Sequence, residues 1–305
     1  MTVGSEPQSL EHLLEDVRSS LGVPLVSSFL RTAAEHPAFG EAWTAVRPAV
    51  QTPAFVRASS WLRSTAAESV RSSFFVSDHL AALLRLGMYD DISKVKACIV
   101  GLDWTAAREM TLLGLMASGD APCSAPTIGN GSERYLAPRY PAGTLSWWGA
   151  GATGELDEKT SAVLAQVTEA LAADAGATVF GVLSAWPGYL QYAWRECTRL
   201  RSGAKWSVAL RGLVEAAAGA SRLVPADWAG FPSDKLADLR EHLQPVLHGA
   251  GEHLLSTAVL RLGLAVPDGS LGLDQVKPVH RTAPAGDHTA RKRPPAAAAE
   301  SAASG

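Results

Sequence analysis

The stretch Trp186–Trp194, "WPGYLQYAW", has a counterpart 150 positions earlier, where the chain from His36 reads "HPAFGEAW". Each has proline in second place, an aromatic residue two positions later, and Ala-Trp at its end. At the same offset Leu14 answers to Leu164, Val17 to Val167, Leu21 to Leu171, Pro37 to Pro187 and Phe39 to Tyr189, without a gap. The register then slips by one residue, so that Trp43 corresponds to Trp194. Chance alignment of leucines is the competing explanation, and the shared proline–aromatic pair argues against it. The echo therefore predicts a duplicated unit of roughly 110–130 residues. Two such units would bury their apolar faces on each other across a pseudo-twofold axis. The interface between them is then the default ligand site.

Working outward, the apolar spacing is helical almost throughout. Leu156, Val163, Leu164, Val167 and Leu171 fall on one helix face, and "SLEHLLEDVRSSLG" does the same before ending at Gly22, where a C-cap glycine belongs. Further helices are predicted over Pro24–His36, Ala38–Gln51, Pro53–Arg71, Val76–Leu86, Ile92–Met116, Thr178–Trp186, Lys205–Ala218 and Lys235–Leu264, the last kinked or split at Pro245. Pro24, Pro37, Pro53 and Pro187 stand at boundaries, where a missing N–H costs least. No run alternates well enough to claim a strand. The expected architecture is all-α: one repeat over 9–116, a Gly/Pro/Ser-rich connector over 117–155, a second repeat over 156–265, and a low-complexity, disordered tail over 266–305.

Composition narrows the function classes. The chain has 305 residues, 47% hydrophobic and 19% charged, with a net charge of −3. That balance offers no electrostatic case for nucleic acid, and the apolar runs are too short for a membrane helix. The acidic N-terminus "MTVGSEPQSLEHLLED" lacks the apolar core of a signal peptide. Cys98, Cys123 and Cys197 are an odd, widely spaced set that fits a reduced cytosolic protein better than a disulfide framework or a zinc site. No metal or other cofactor is expected. The formal G-x-G-x-x-G at Gly149–Gly154, "GAGATG", sits in the connector without a strand–helix unit around it, and it carries no dinucleotide site.

The segments "LEDVRSSLGVPLVSSFLRTAAEHPAF", "MYDDISKVKACIVGLDW" and "PGYLQYAWRE" resemble, in order, segments of the group I (DL-type) 2-haloacid dehalogenases. The resemblance spans most of residues 10–265. It implies two tandem helical repeats with the active site between them. It also implies direct displacement, in which an aspartate activates water to attack the carbon bearing the halogen. In the segment "GATVFGVLSAW" the family's serine falls at Thr178 and its aspartate at Val179. The family's aromatic pocket positions after "VP" fall at Leu25 and Ser28. A valine cannot activate water, so no catalytic residue carries over.

Two fates suit a displacement enzyme that has lost its water activator. It becomes a non-catalytic binding or scaffold subunit, or it expels an anion while the substrate supplies the nucleophile. In the second case an intramolecular amine closes a small nitrogen ring such as an aziridine as sulfate or halide departs, a reading that fits relatives in natural-product pathways. The expected substrate is then a small amino-acid derivative, free or tethered to a carrier protein, and an oligomer or partner enzyme is allowed. A hydrolytic dehalogenase with a relocated base is the remaining alternative.

Candidate residues follow from faces and spacing. Ser28, Arg31 and Glu35 lie at i, i+3 and i+7, so a hydroxyl, a cation and a carboxylate can share a wall. Arg31 is a candidate clamp for a carboxylate or departing sulfate; otherwise it is a surface arginine paired with Glu35. Thr178 is Ser28's repeat mate, with local back-bonding as the plainer reading. Asp103, in "GLDWTAARE", is either a helix N-cap or a buried functional acid. His248 and Glu252 lie at i, i+4 and are either a joint proton acceptor or a solvated pair. Trp104 is a candidate pocket wall, with core packing as its alternative. The catalytic candidates are thus Asp103, Glu252 and His248, and the substrate-binding candidates Ser28, Arg31, Thr178, Leu25, Val179 and Trp104.

Overall fold

Short apolar faces closed by caps set the order of the helices. The computed structural model describes residues 9–118, 156–224, 226–228 and 230–266. Ser9 caps α1 (Leu10–Leu21) by accepting from the His12 N–H, and Gly22, at φ 60, ends it in the left-handed conformation. α2 (Ser28–Ala34) and α3 (Phe39–Val50) follow. Thr52 caps α4 (Pro53–Ser73), which has its proline in the first turn, and Asp78 caps α5 (His79–Arg85). A 3₁₀ turn at Tyr89–Asp91 leads into α6 (Ile92–Ser118). After the connector, Asp157 caps α7 (Glu158–Leu171), and a second 3₁₀ turn at Ala175–Ala177 precedes α8 (Val179–Leu183). Pro187 opens α9 (Pro187–Arg201), followed by α10 (Ala204–Ser221) and α11 (Ser233–Gly263). The fold is all-α, with no strand among the described residues.

The core is built on the two long helices. From Cys98 to Met116 every residue of α6 except Trp104 is buried, and His253–Arg261 of α11 is buried on all sides. Helices apolar all round belong at the centre of a bundle. α6 and α11 pack on each other most extensively, and α4 and α10 pack against α6. The α6–α10 approach requires glycine: a Cβ on Gly114 would lie 2.8 Å from the Ala217 carbonyl oxygen. Cys98 and Cys197 are buried in this interior, and neither forms a disulfide.

With α5 set aside, the helices after the connector follow those before it in order and relative length. Lengths of 12, 7, 12, 21 and 27 residues are answered by 14, 5, 15, 18 and 31. The echoing tryptophans make the same tie. Trp43 Nε1 donates to Asp16 Oδ2 at 2.8 Å, and Trp194 Nε1 donates to Gln166 Oε1 at 3.1 Å. Each bond joins the third helix of its set to the first, and it survives the one-residue slip in register.

Three expectations change. α11 is not split at Pro245 but continues through it as one helix, with Leu243, Val246 and Leu247 buried on either side. The helices expected over Pro24–His36 and Thr178–Trp186 are shorter, with Ser27 and Thr178 taking extended N-cap conformations. Asp103 is not an N-cap: it stands in the middle of α6, fully buried. The connector beyond residue 118, with Cys123 and the "GAGATG" run, and the tail beyond 266 lie outside the described residues.

Candidate functional site

In each set of helices, the long helix reaches a buried titratable side chain to the N-terminus of the short one. In the first set, α6 supplies Glu109, whose Oε1 accepts the Ser27 N–H at 2.8 Å. In the second, α11 supplies His253, whose Nε2 accepts the Val179 N–H at 3.0 Å. The first N–H groups of a helix have no partner within it, which is why an acceptor belongs there. The two seats touch through Phe29, whose ring centroid lies 5.7 Å from that of His253. Gly249 lets Phe29 lie directly on α11, since a Cβ there would fall 2.5 Å from the ring.

Burial sets the charges at both seats. Glu109 is 1% exposed, and desolvation pushes its pKa up to about 7 against the pull of the Ser27 hydroxyl and N–H. It therefore gains and loses a proton near neutrality. Desolvation lowers the His253 pKa to about 4, so the ring is neutral. Because Nε2 accepts a bond, the ring carries its proton on Nδ1.

The sequence-predicted residues divide around this junction. Ser28 is buried there, and its Oγ has no hydrogen-bond partner. Val179 is buried at the start of α8. Thr178 follows its plainer reading, its Oγ1 donating to the Ala175 carbonyl at 2.7 Å. Leu25 is half-buried and packs on the core. Arg31 is on the surface and pairs with Glu11 of α1 at 2.7 Å, not with Glu35. It does not share a wall with the buried Ser28.

His248 and Glu252 do not work as a pair. His248 is exposed. The Glu252 carboxylate instead accepts from Arg201 Nε at 2.9 Å and Trp206 Nε1 at 2.8 Å, tying α11 to α9 and α10. Asp103 is also engaged. Arg63 Nε donates to its Oδ2 at 2.5 Å, Arg261 Nε lies 2.9 Å from the same oxygen, and Thr257 Oγ1 donates to Oδ1 at 3.4 Å. Trp104 lies under the Arg63 guanidinium, 4.7 Å from carbon to ring centroid.

Sequence reasoning missed Glu109, His253 and Arg63. The usable signal was the Arg108–Glu109 pair, two charges inside the apolar run from Ala106 to Met116. For His253 it was the flanking "LLSTAVL", which carries no charge in any direction round a helix. A surface groove of about 600 Å³ between α7 and α9, lined by Lys159, Gln166, Trp194, Arg195 and Arg199 among others, contains none of the predicted site residues. Among the described residues no cluster of His, Cys, Asp and Glu is arranged to hold a metal ion, and no helix is long and apolar enough to cross a membrane.

No family model matches the chain. A (R)-2-haloacid dehalogenase from Pseudomonas putida is 25% identical over 205 residues, covering 61% of this chain and 63% of that protein, so the match spans less than two thirds of the relative's length. Solved structures of D-2-haloacid dehalogenase share the fold. The enzyme with L-LA superposes with a TM-score of 0.65 at 18% identity, covering 85% of this chain and 93% of that one. A mutant with D-2-CPA gives a TM-score of 0.64 at 18% identity, over the same shares of the two chains.

Proposed function

We propose that this chain, which has the fold of the D-2-haloacid dehalogenases, displaces an anionic leaving group from a small amino-acid-derived substrate at the junction of α2, α6, α8 and α11. The nucleophile in this reading is the substrate's own amine. The nitrogen forms a bond to the carbon, the leaving group departs with its electron pair as halide or sulfate, and Glu109 takes the amine proton. One observation carries the reading: Glu109 is a buried carboxyl with a pKa near 7, bonded to the Ser27 N–H one residue before the partnerless Ser28 hydroxyl. A general base is most effective when its pKa lies near the working pH. Val179 supports ring closure over hydrolysis. It fills the place where the resemblance puts the water-activating aspartate, and its N–H is already held by His253.

Hydrolysis of a 2-haloacid is the second reading, favoured by the named activity of the relatives, with Glu109 activating water in place of the missing aspartate. One experiment separates the two. The protein is mixed with 2-amino-3-chloropropionate, and in parallel with each enantiomer of 2-chloropropionate, in water labelled with heavy oxygen. Ring closure releases chloride from the amino substrate alone and leaves a product that has lost the elements of HCl and carries no label. A labelled hydroxyl product from either substrate replaces ring closure with hydrolysis. Absence of chloride release from all of them refutes both and leaves a binding or scaffold subunit. Glu109→Gln abolishes turnover in either catalytic reading.

A further inference from the structure

We propose that Arg63 and Trp104 form a binding site for a small monovalent anion, a halide ion or a carboxylate. The inference goes beyond the displacement chemistry and does not depend on it. Arg63, on α4, is 4% exposed, and its Nε is committed to Asp103 on α6. Its Nη2 is buried and has no hydrogen-bond partner. Trp104, the residue after Asp103, has its Nε1 buried and partnerless as well. The guanidinium lies over the indole at 4.7 Å, so two unused N–H donors belong to one stacked pair.

Buried donors without acceptors are uncommon and costly, and these two ask for the same thing. Asp103 cannot serve both, because Arg63 shares it with Arg261 and Thr257. A cation is excluded at a site built from donors and a positive charge. A monovalent anion satisfies both N–H groups and completes the neutralisation of Arg63 that a shared carboxylate leaves unfinished. Trp104 is the one residue of the run Cys98–Met116 that is not fully buried, so the pair lies nearer the surface than its neighbours on α6. The cation–π stack holds the guanidinium plane in place before an anion arrives.

The test uses the full chain in halide-free sulfate buffer. Sodium bromide and, separately, sodium acetate are titrated by isothermal calorimetry. Saturable one-site binding of either is the expected result. Bromide alone identifies a halide site, acetate alone a carboxylate site, and both a site for small anions in general. Trp104→Phe keeps the ring and the stack but removes one N–H. It should weaken binding about tenfold or more, the usual loss for a hydrogen bond to a charged partner. Crystals of the unaltered chain grown in bromide provide a second measurement that no folding defect can spoil, with an anomalous peak expected beside Trp104 Nε1. No saturable binding of either salt, an affinity unchanged in Trp104→Phe, or bromide peaks confined to the surface would each overturn the proposal, leaving water as what those donors hold.

Discussion

Replacing Glu109 with glutamine should make the folded chain more stable at high pH and leave it unchanged at low pH. The folded chain holds the Glu109 proton more tightly than the unfolded chain does, with the carboxyl raised from 4.5 to about 7. Stability from this group is therefore complete below pH 4.5 and is lost as the pH rises through about 7. Carrying the ionised carboxylate above that point costs about 3 kcal/mol. Glutamine has nearly the same shape, accepts the Ser27 N–H through its own oxygen and cannot ionise, so it avoids the loss. Urea unfolding of both proteins at a series of pH values measures the difference directly. It should grow from near zero at pH 4 to about 3 kcal/mol in the variant's favour at pH 9. A constant offset at every pH, or a variant that loses most ground at high pH, would refute the argument that desolvation dominates at Glu109.

The other predictions concern charge, backbone capping and packing. His253, with its pKa held at about 4, contributes stability above pH 6.5 that is lost as the pH falls through 4. His253→Leu should flatten that acid limb in pH-dependent unfolding while costing about 1–3 kcal/mol at pH 8 for the orphaned Val179 N–H. Asp103→Asn leaves two buried guanidiniums facing a neutral amide. It should cost about 3–5 kcal/mol and lower the calorimetric midpoint by on the order of 10 °C, whereas a shift of a degree or two would mean the charges are balanced elsewhere. Gly114→Ala should lose about 1–3 kcal/mol, because its Cβ meets the Ala217 carbonyl. Gly212→Ala, where a Cβ meets nothing within 4 Å, should gain up to about 1 kcal/mol in the same denaturant assay.

The helices were legible because their ends are written locally. Gly22, Pro53 and Pro187 act within a turn of where they stand, and the 3.6-residue period shows which face is apolar. The tryptophan echo was legible for the same reason, since both indoles reach back to a helix nearby in sequence. The site was much less so. Asp103 read as a cap because its partners, Arg63 and Arg261, come from helices distant in the chain, and no local rule joins them. His248 drew notice over His253 because spacing to Glu252 is visible in sequence, whereas exposure depends on which side of α11 faces α6. Glu109 escaped because its chemistry comes from desolvation, and burial of a charged residue is decided by packing.

The two short helices are seated alike, yet only one of the seats changes its charge near neutral pH. His253 stays neutral across the range in which Glu109 passes from acid to carboxylate. A carboxylate grips an N–H more firmly than the corresponding acid does. The single bond from the Ser27 N–H to Glu109 therefore strengthens as the pH rises through 7, even though burying the charge costs the fold stability, while the Val179–His253 bond does not change. The Ser27 contact thus carries a pH dependence that the Val179 contact lacks, set against the stability the fold loses when the buried carboxyl ionises.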